Sequence, residues 1–166
     1  LTNAGGPGVI AADALADNNF ALSRLDPFTI AALQQRLPPA ASAQNPVDML
    51  ASATADDYAA CLNALLADVQ THAVMVIIPP SPISPTVKIA QALIPIIKAS
   101  DKPVLPIVMG SMLIHETLLE FSRSDIPCYS FPEKAASSLA CLADRADFLM
   151  TMHEVTLPPP GFDAQA

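Results

Sequence analysis

The chain of 166 residues has no tryptophan, and only 5% of it is aromatic. Few large rings are available, and abundant alanine suits helices packed closely through small residues. Basic residues are scarce, eight against sixteen acids, for a formal net charge of −8. That balance excludes a nucleic-acid surface and a patch for anionic membranes. Long apolar runs are missing too; proline or a polar residue interrupts each well before membrane-spanning length. The three cysteines, Cys61, Cys128 and Cys141, are odd in number and far apart. They give no disulfide framework and read as reduced, mostly buried thiols of a cytoplasmic protein. No HxxxH or CxxC spacing offers a metal site. His72, His115 and His153 stand alone, and Glu116, Glu120 and Glu133 read as ordinary helix acids.

Glycine is also rare, with five in all, yet three of them lie at positions 5, 6 and 8. The stretch LTNAGGPGVIAADAL (1–15) reads as the end of a buried strand, a sharp turn and a helix over 7–17. Pro7 suits the first helical position, which makes Gly6 the N-cap. The N–H groups of Gly8, Val9 and Ile10 then point out of the helix end. The first acid, Asp13, lies two turns in, so no carboxylate occupies the positive end of the dipole. Such a terminus is suited to an anion, most naturally phosphate. The spacing is neither a Walker A loop nor the GxGxxG dinucleotide fingerprint.

What is plentiful is hydrophobic residues, 52% of the chain, and proline, with seventeen. The prolines mostly punctuate. Phe20, Ala21 and Leu22 form a short strand candidate. Asp26-Pro27 starts a helix to Leu37, and Pro38-Pro39 ends it. A loop over 40–52 carries Asn45-Pro46-Val47-Asp48. Thr54 caps a helix whose apolar face holds Tyr58, Cys61, Leu62, Leu65, Leu66 and Val69. AVMVII (73–78) is a strand buried on both faces. A helix from Ser84-Pro85 to Ala99 follows, with Pro95 as its weak point. PVLPIVM (103–109) is the next strand, with Pro106 awkward inside it. Gly110-Ser111 turns into a helix with Ile114, Leu118 and Phe121 on one face. Residues 126–131 form the last strand, and Pro132-Glu133 opens the last helix. Short strands alternating with amphipathic helices predict a three-layer α/β fold with a parallel sheet. The expected topology is flavodoxin-like, order 2-1-3-4-5, with the first strand largely missing from the chain. One domain spans 1–150, and 151–166 reads as a linker or tail.

Four separated motifs, TNAGGPGV (2–9), PPAAS (38–42), NPVD (45–48) and IPCYSFPEKA (126–135), resemble the NDP-forming acyl-CoA synthetases. That family includes the ADP-forming acetyl-CoA synthetases and is related to succinyl-CoA synthetase. The resemblance runs from residue 1 to about 149 and implies the second ligase-CoA domain, of flavodoxin-like fold. It implies a reaction of acid, CoA and ATP to acyl-CoA, ADP and phosphate through a phosphohistidine. On that resemblance Asn3, Ala4, Gly5, Gly6, Gly8 and Val9 line a phosphate pocket, and Asn45 and Asp48 brace the loop beside it. The loop 79–85 and the turn 109–112 match the family more loosely. No catalytic residue is expected in this chain, nor a cofactor or metal of its own. CoA, ATP and Mg belong to other domains of the parent. The implied partners are CoA-binding, phosphohistidine-bearing and ATP-grasp domains, and homo-oligomerisation is left open. The alternative is a ligase-like module of a protein acetyltransferase that senses CoA thioesters without turnover. As part of a ligase, the chain carrying Gly8→Asp is expected to lose phosphotransfer and keep its fold.

Overall fold

The computed structural model describes residues 1–81, 84–110 and 114–153. Two strands carry the centre, β1 (Val74–Ile78) and β2 (Val104–Val108), parallel and in register from Val74 opposite Val104 to Ile78 opposite Val108. All ten of their residues are buried. Alternation assigns each to a face. Val74, Val76, Ile78, Val104 and Val108 join the larger core, while Met75, Ile77, Leu105 and Ile107 join the smaller one. Both faces being dry explains why these strands read as unbroken apolar runs.

Three single-residue pairings widen this sheet to the expected order. Leu1 runs beside β1, its amino group donating to Met75 O at 3.0 Å and its carbonyl accepting from Ile77 N at 2.9 Å. Thr2 pairs in parallel with Asp48, through Thr2 N to Val47 O at 2.9 Å and Met49 N to Thr2 O at 2.8 Å. Tyr129 pairs with Ile107 on the far side. The spatial order is therefore 47–49, 1–2, β1, β2, 129, which is 2-1-3-4-5. The second strand comes from residues 47–49 and not from 20–22. Phe20 N instead donates to Leu15 O at 2.9 Å and closes the preceding helix, with Asn19 left-handed at φ 62°. The strand expected over 126–131 shrinks to its Tyr129 bridge, because Pro127 has no N–H to give the ladder and Pro132 already opens a helix. Pro106 is tolerated in β2 for a related reason. Its carbonyl accepts from Tyr129 N, so its missing N–H faces that short strand and not β1.

On one face lie α2 (Pro27–Arg36), α3 (Ala55–Ala67), α4 (Thr86–Ala99) and α5 (His115–Arg123); on the other lie α1 (Gly5–Asp17) and α6 (Pro132–His153). The caps of α2 and α3 are those the sequence announced. Asp26 accepts from Phe28 N at 2.8 Å, with Pro27 following. Thr54 and Asp57 form a reciprocal capping box, and Asp57 also meets Arg36 of α2 at 2.7 Å. Alanines Ala11, Ala14, Ala135 and Ala136 let α1 and α6 approach the sheet closely. Pro95 lies inside α4, which runs through it. α6 continues to His153, and the remainder of the tail, 154–166, lies outside the described residues, as do Pro82, Ile83 and 111–113.

Candidate functional site

The site starts from Thr2, whose backbone is fixed between two neighbours in the sheet. Its hydroxyl spans the turn, accepting from Ala4 N and donating to Ala4 O, each at 3.1 Å. That clamp makes Ala4, with φ −148° and ψ 122°, the N-cap. α1 therefore begins at Gly5, two residues earlier than the sequence reading, and Pro7 is its third residue and not its first. Pro7 still lies where an N–H would have no intrahelical acceptor. The consequence for the site is direct. Gly8 N donates to Ala4 O at 3.4 Å, and the N–H groups of Val9 and Ile10 belong to the helix interior. The donors without an intrahelical acceptor are those of Gly5 and Gly6.

Gly5 and Gly6 are exposed and Gly8 is buried. A side-chain carbon on Gly6 would meet nothing within 4 Å, whereas one on Gly8 would lie 3.1 Å from Thr2 Cγ2 and 3.6 Å from Pro46 Cβ. Asn3 is buried and Val9 presents its side chain to solvent. The first turn of α1 contains no acid. Tertiary structure nevertheless supplies one: Asp48 Oδ2 lies 3.3 Å from where a Gly5 Cβ would stand. Its other oxygen accepts from Leu50 N at 3.0 Å. Asn45 Nδ2 donates to Ser23 O at 3.1 Å and Ser23 Oγ at 3.2 Å, so it ties its loop to the segment after α1. The Asn45–Pro46 peptide is cis.

Tyr58 is the residue whose part in this site the sequence reading missed, placing it only on the apolar face of its helix. It is fully buried; its hydroxyl donates to Ile77 O at 2.9 Å and also meets the Asn3 backbone. Burial, then the Asp48 charge, push the phenol above its ordinary range, with the Asn3 backbone opposing. It thus pins the glycine turn to β1 from below. The available signal was chemical, since a buried tyrosine hydroxyl needs a partner. Tyr58→Phe strands Ile77 O and the Asn3 backbone group, and should cost about 1–3 kcal/mol in urea unfolding.

Three turns follow the carboxyl ends of parallel strands and share one edge of the sheet: Asn3-Ala4, Pro79-Pro80 and Gly110. Gly110 has φ 116°, and a Cβ there would stand 2.7 Å from Pro80 Cγ, so glycine is required where those two loops touch. His115 is exposed at the start of α5, and His72 is exposed before β1. Among the described residues no three His, Cys, Asp or Glu side chains cluster to hold a metal, and no helix is long and apolar enough to cross a membrane.

These features define a flavodoxin-like α/β domain whose first helix opens, glycine-rich, at the carboxyl edge of the sheet, where ligands of such sheets bind. The Ligase-CoA domain family matches residues 1–152, and the chain belongs to that family. It is 34% identical over 151 residues to the alpha subunit of an ADP-forming acetate–CoA ligase II of Pyrococcus furiosus, covering 88% of this chain and 33% of that protein. An ADP-forming acetate–CoA ligase I of Archaeoglobus fulgidus is 30% identical over 142 residues, covering 86% of this chain and 20% of its own length. Among solved structures, the apo form of a dinucleotide-forming acetyl-coenzyme A synthetase 1 from Ca. Korarchaeum cryptofilum superposes with TM-score 0.84 at 28% identity, covering 94% of this chain and 35% of that one. The same enzyme in complex with phosphate and ADP also gives 0.84, at 28% identity, covering 95% and 34%. The chain spans a fifth to a third of these relatives.

Proposed function

We propose that this domain is the phosphohistidine-docking part of an NDP-forming acyl-CoA synthetase, an acid–thiol ligase, and is inactive alone. The observation that carries the reading is the start of α1: two exposed glycine N–H donors, with no acid in the helix's own first turn, at the carboxyl edge of the sheet. Backbone donors and a helix dipole are what a phosphoryl group on a mobile histidine requires. Nothing else need be supplied here, because the histidine, CoA, ATP and Mg belong to partner domains of the same protein or a partner subunit. Asp48 borders the donors without filling their place. A cytoplasmic setting suits the unpaired thiols.

The test uses the intact parent polypeptide with labelled ATP. An acid-labile, base-stable phosphoprotein that discharges on adding CoA and acid supports the reading. A well-folded parent that binds acyl-CoA and takes no label overturns it in favour of the thioester-sensing module.

A further inference from the structure

Resting on the phosphate-docking reading, we propose that Asp48 is the residue that keeps docking at α1 brief. Its fixed negative charge weakens the hold of the Gly5 and Gly6 N–H groups on a phosphoryl group.

The carboxylate is anchored. Asp48 N donates to Ser42 O at 3.0 Å and Asp48 O accepts from Ser42 N at 2.9 Å, while Val47 and Met49 on either side bond Thr2. Asp48 Oδ1 accepts from Leu50 N at 3.0 Å, with Leu50 left-handed at φ 67°. Oδ2 is the atom that faces α1, 3.3 Å from where a Gly5 Cβ would stand. Cβ and N of one residue share a Cα, so Oδ2 lies within about 6 Å of Gly5 N. The turn at Leu50 needs one oxygen, which asparagine would supply equally well. That leaves the second oxygen and the charge without a structural use. The salt bridges among the described residues are Arg36–Asp57 and Arg123–Glu120, and neither takes up the Asp48 charge. The charge reaches the surroundings of the glycine turn, as far as the Tyr58 hydroxyl beneath Asn3. Two effects therefore oppose each other at one place. The N–H donors and the helix dipole attract a phosphoryl group. Asp48 repels it over a distance at which like charges near a protein surface change affinity by about tenfold. A histidine that passes its phosphoryl group on needs a dock that also lets go.

The test titrates inorganic phosphate into the intact parent by calorimetry. The binding step that Gly6→Asp abolishes belongs to α1. Asp48→Asn keeps an acceptor for Leu50 N and removes the charge. It should tighten that step about tenfold, and the gain should shrink as sodium chloride screens the repulsion. Asp48→Glu keeps the charge and should show no such gain. With the α1 step present, an Asp48→Asn affinity equal to or below that of the parent overturns the role of Asp48 and leaves the docking reading standing. Absence of any step sensitive to Gly6→Asp overturns the docking reading, and this inference with it. If Asp48→Asn does not fold, Asp48→Ser replaces it under the same outcomes. Loss of the fold in both makes Asp48 a structural residue and overturns the proposal.

Discussion

Gly6→Asp should lower phosphotransfer in the intact parent by about 100-fold or more and leave the fold at least as stable. Gly6 is exposed, and its new Cβ meets nothing. It is the second residue of α1, whose first turn lacks an acid. A carboxylate there gains about 0.3–1 kcal/mol from the helix dipole, and replacing glycine within a helix removes its entropic cost. The same charge stands beside the N–H groups that the phosphoryl oxygens are proposed to use. Two like charges 4 Å apart repel by about 4 kcal/mol near a protein surface, so a hundredfold loss is a modest expectation. Gly6→Ala is the control: it should transfer phosphate within about threefold of the parent while sharing the gain in helix stability. The rate of labelling from ATP measures the effect and urea unfolding measures the fold. Full labelling of Gly6→Asp would remove the phosphate role from α1.

Gly8→Asp should behave in the opposite way, losing the fold before any question of ligand arises. The sequence reading made this the clean blocking variant. In the structure Gly8 is buried, and a Cβ would press on Thr2 Cγ2 at 3.1 Å with Pro46 Cβ at 3.6 Å behind it. Overpacking there costs about 1–3 kcal/mol. A carboxylate driven into the same space brings a desolvation cost as well. The sum should exceed ~3 kcal/mol, a large part of the stability of a domain this size. Thermal unfolding by circular dichroism would show a lower or lost cooperative transition. A melt unchanged from the parent would mean that α1 does not sit on Thr2 as described. The two variants, two residues apart, thus separate a loss of phosphate binding from a loss of structure.

The sequence by itself determined the elements that depend on near neighbours. Asp26-Pro27 and the Thr54–Asp57 box start their helices because each cap satisfies N–H groups two or three residues away. The runs around Val74–Ile78 and Val104–Val108 announced strands buried on both faces, and the alternation of elements announced the parallel sheet. The glycine turn was visible as a turn.

Only the tertiary structure decided what that turn offers. Which N–H groups are free depends on Thr2, whose hydroxyl moves the helix start to Gly5, and Thr2 is held by residues 47–49 and β1. That second strand was not visible because its residues pair with a chain segment more than forty positions away, follow Pro46 and have Asp48 at their centre. Residues 20–22 had the better local pattern, but Phe20 N is used in closing α1 onto Leu15 O. Asp48 at Gly5, Tyr58 beneath Asn3 and Gly8 against Pro46 are likewise contacts across the sheet. Caps and periodicities act over a few residues, whereas pairing and close approach are settled by which distant segments the core brings together.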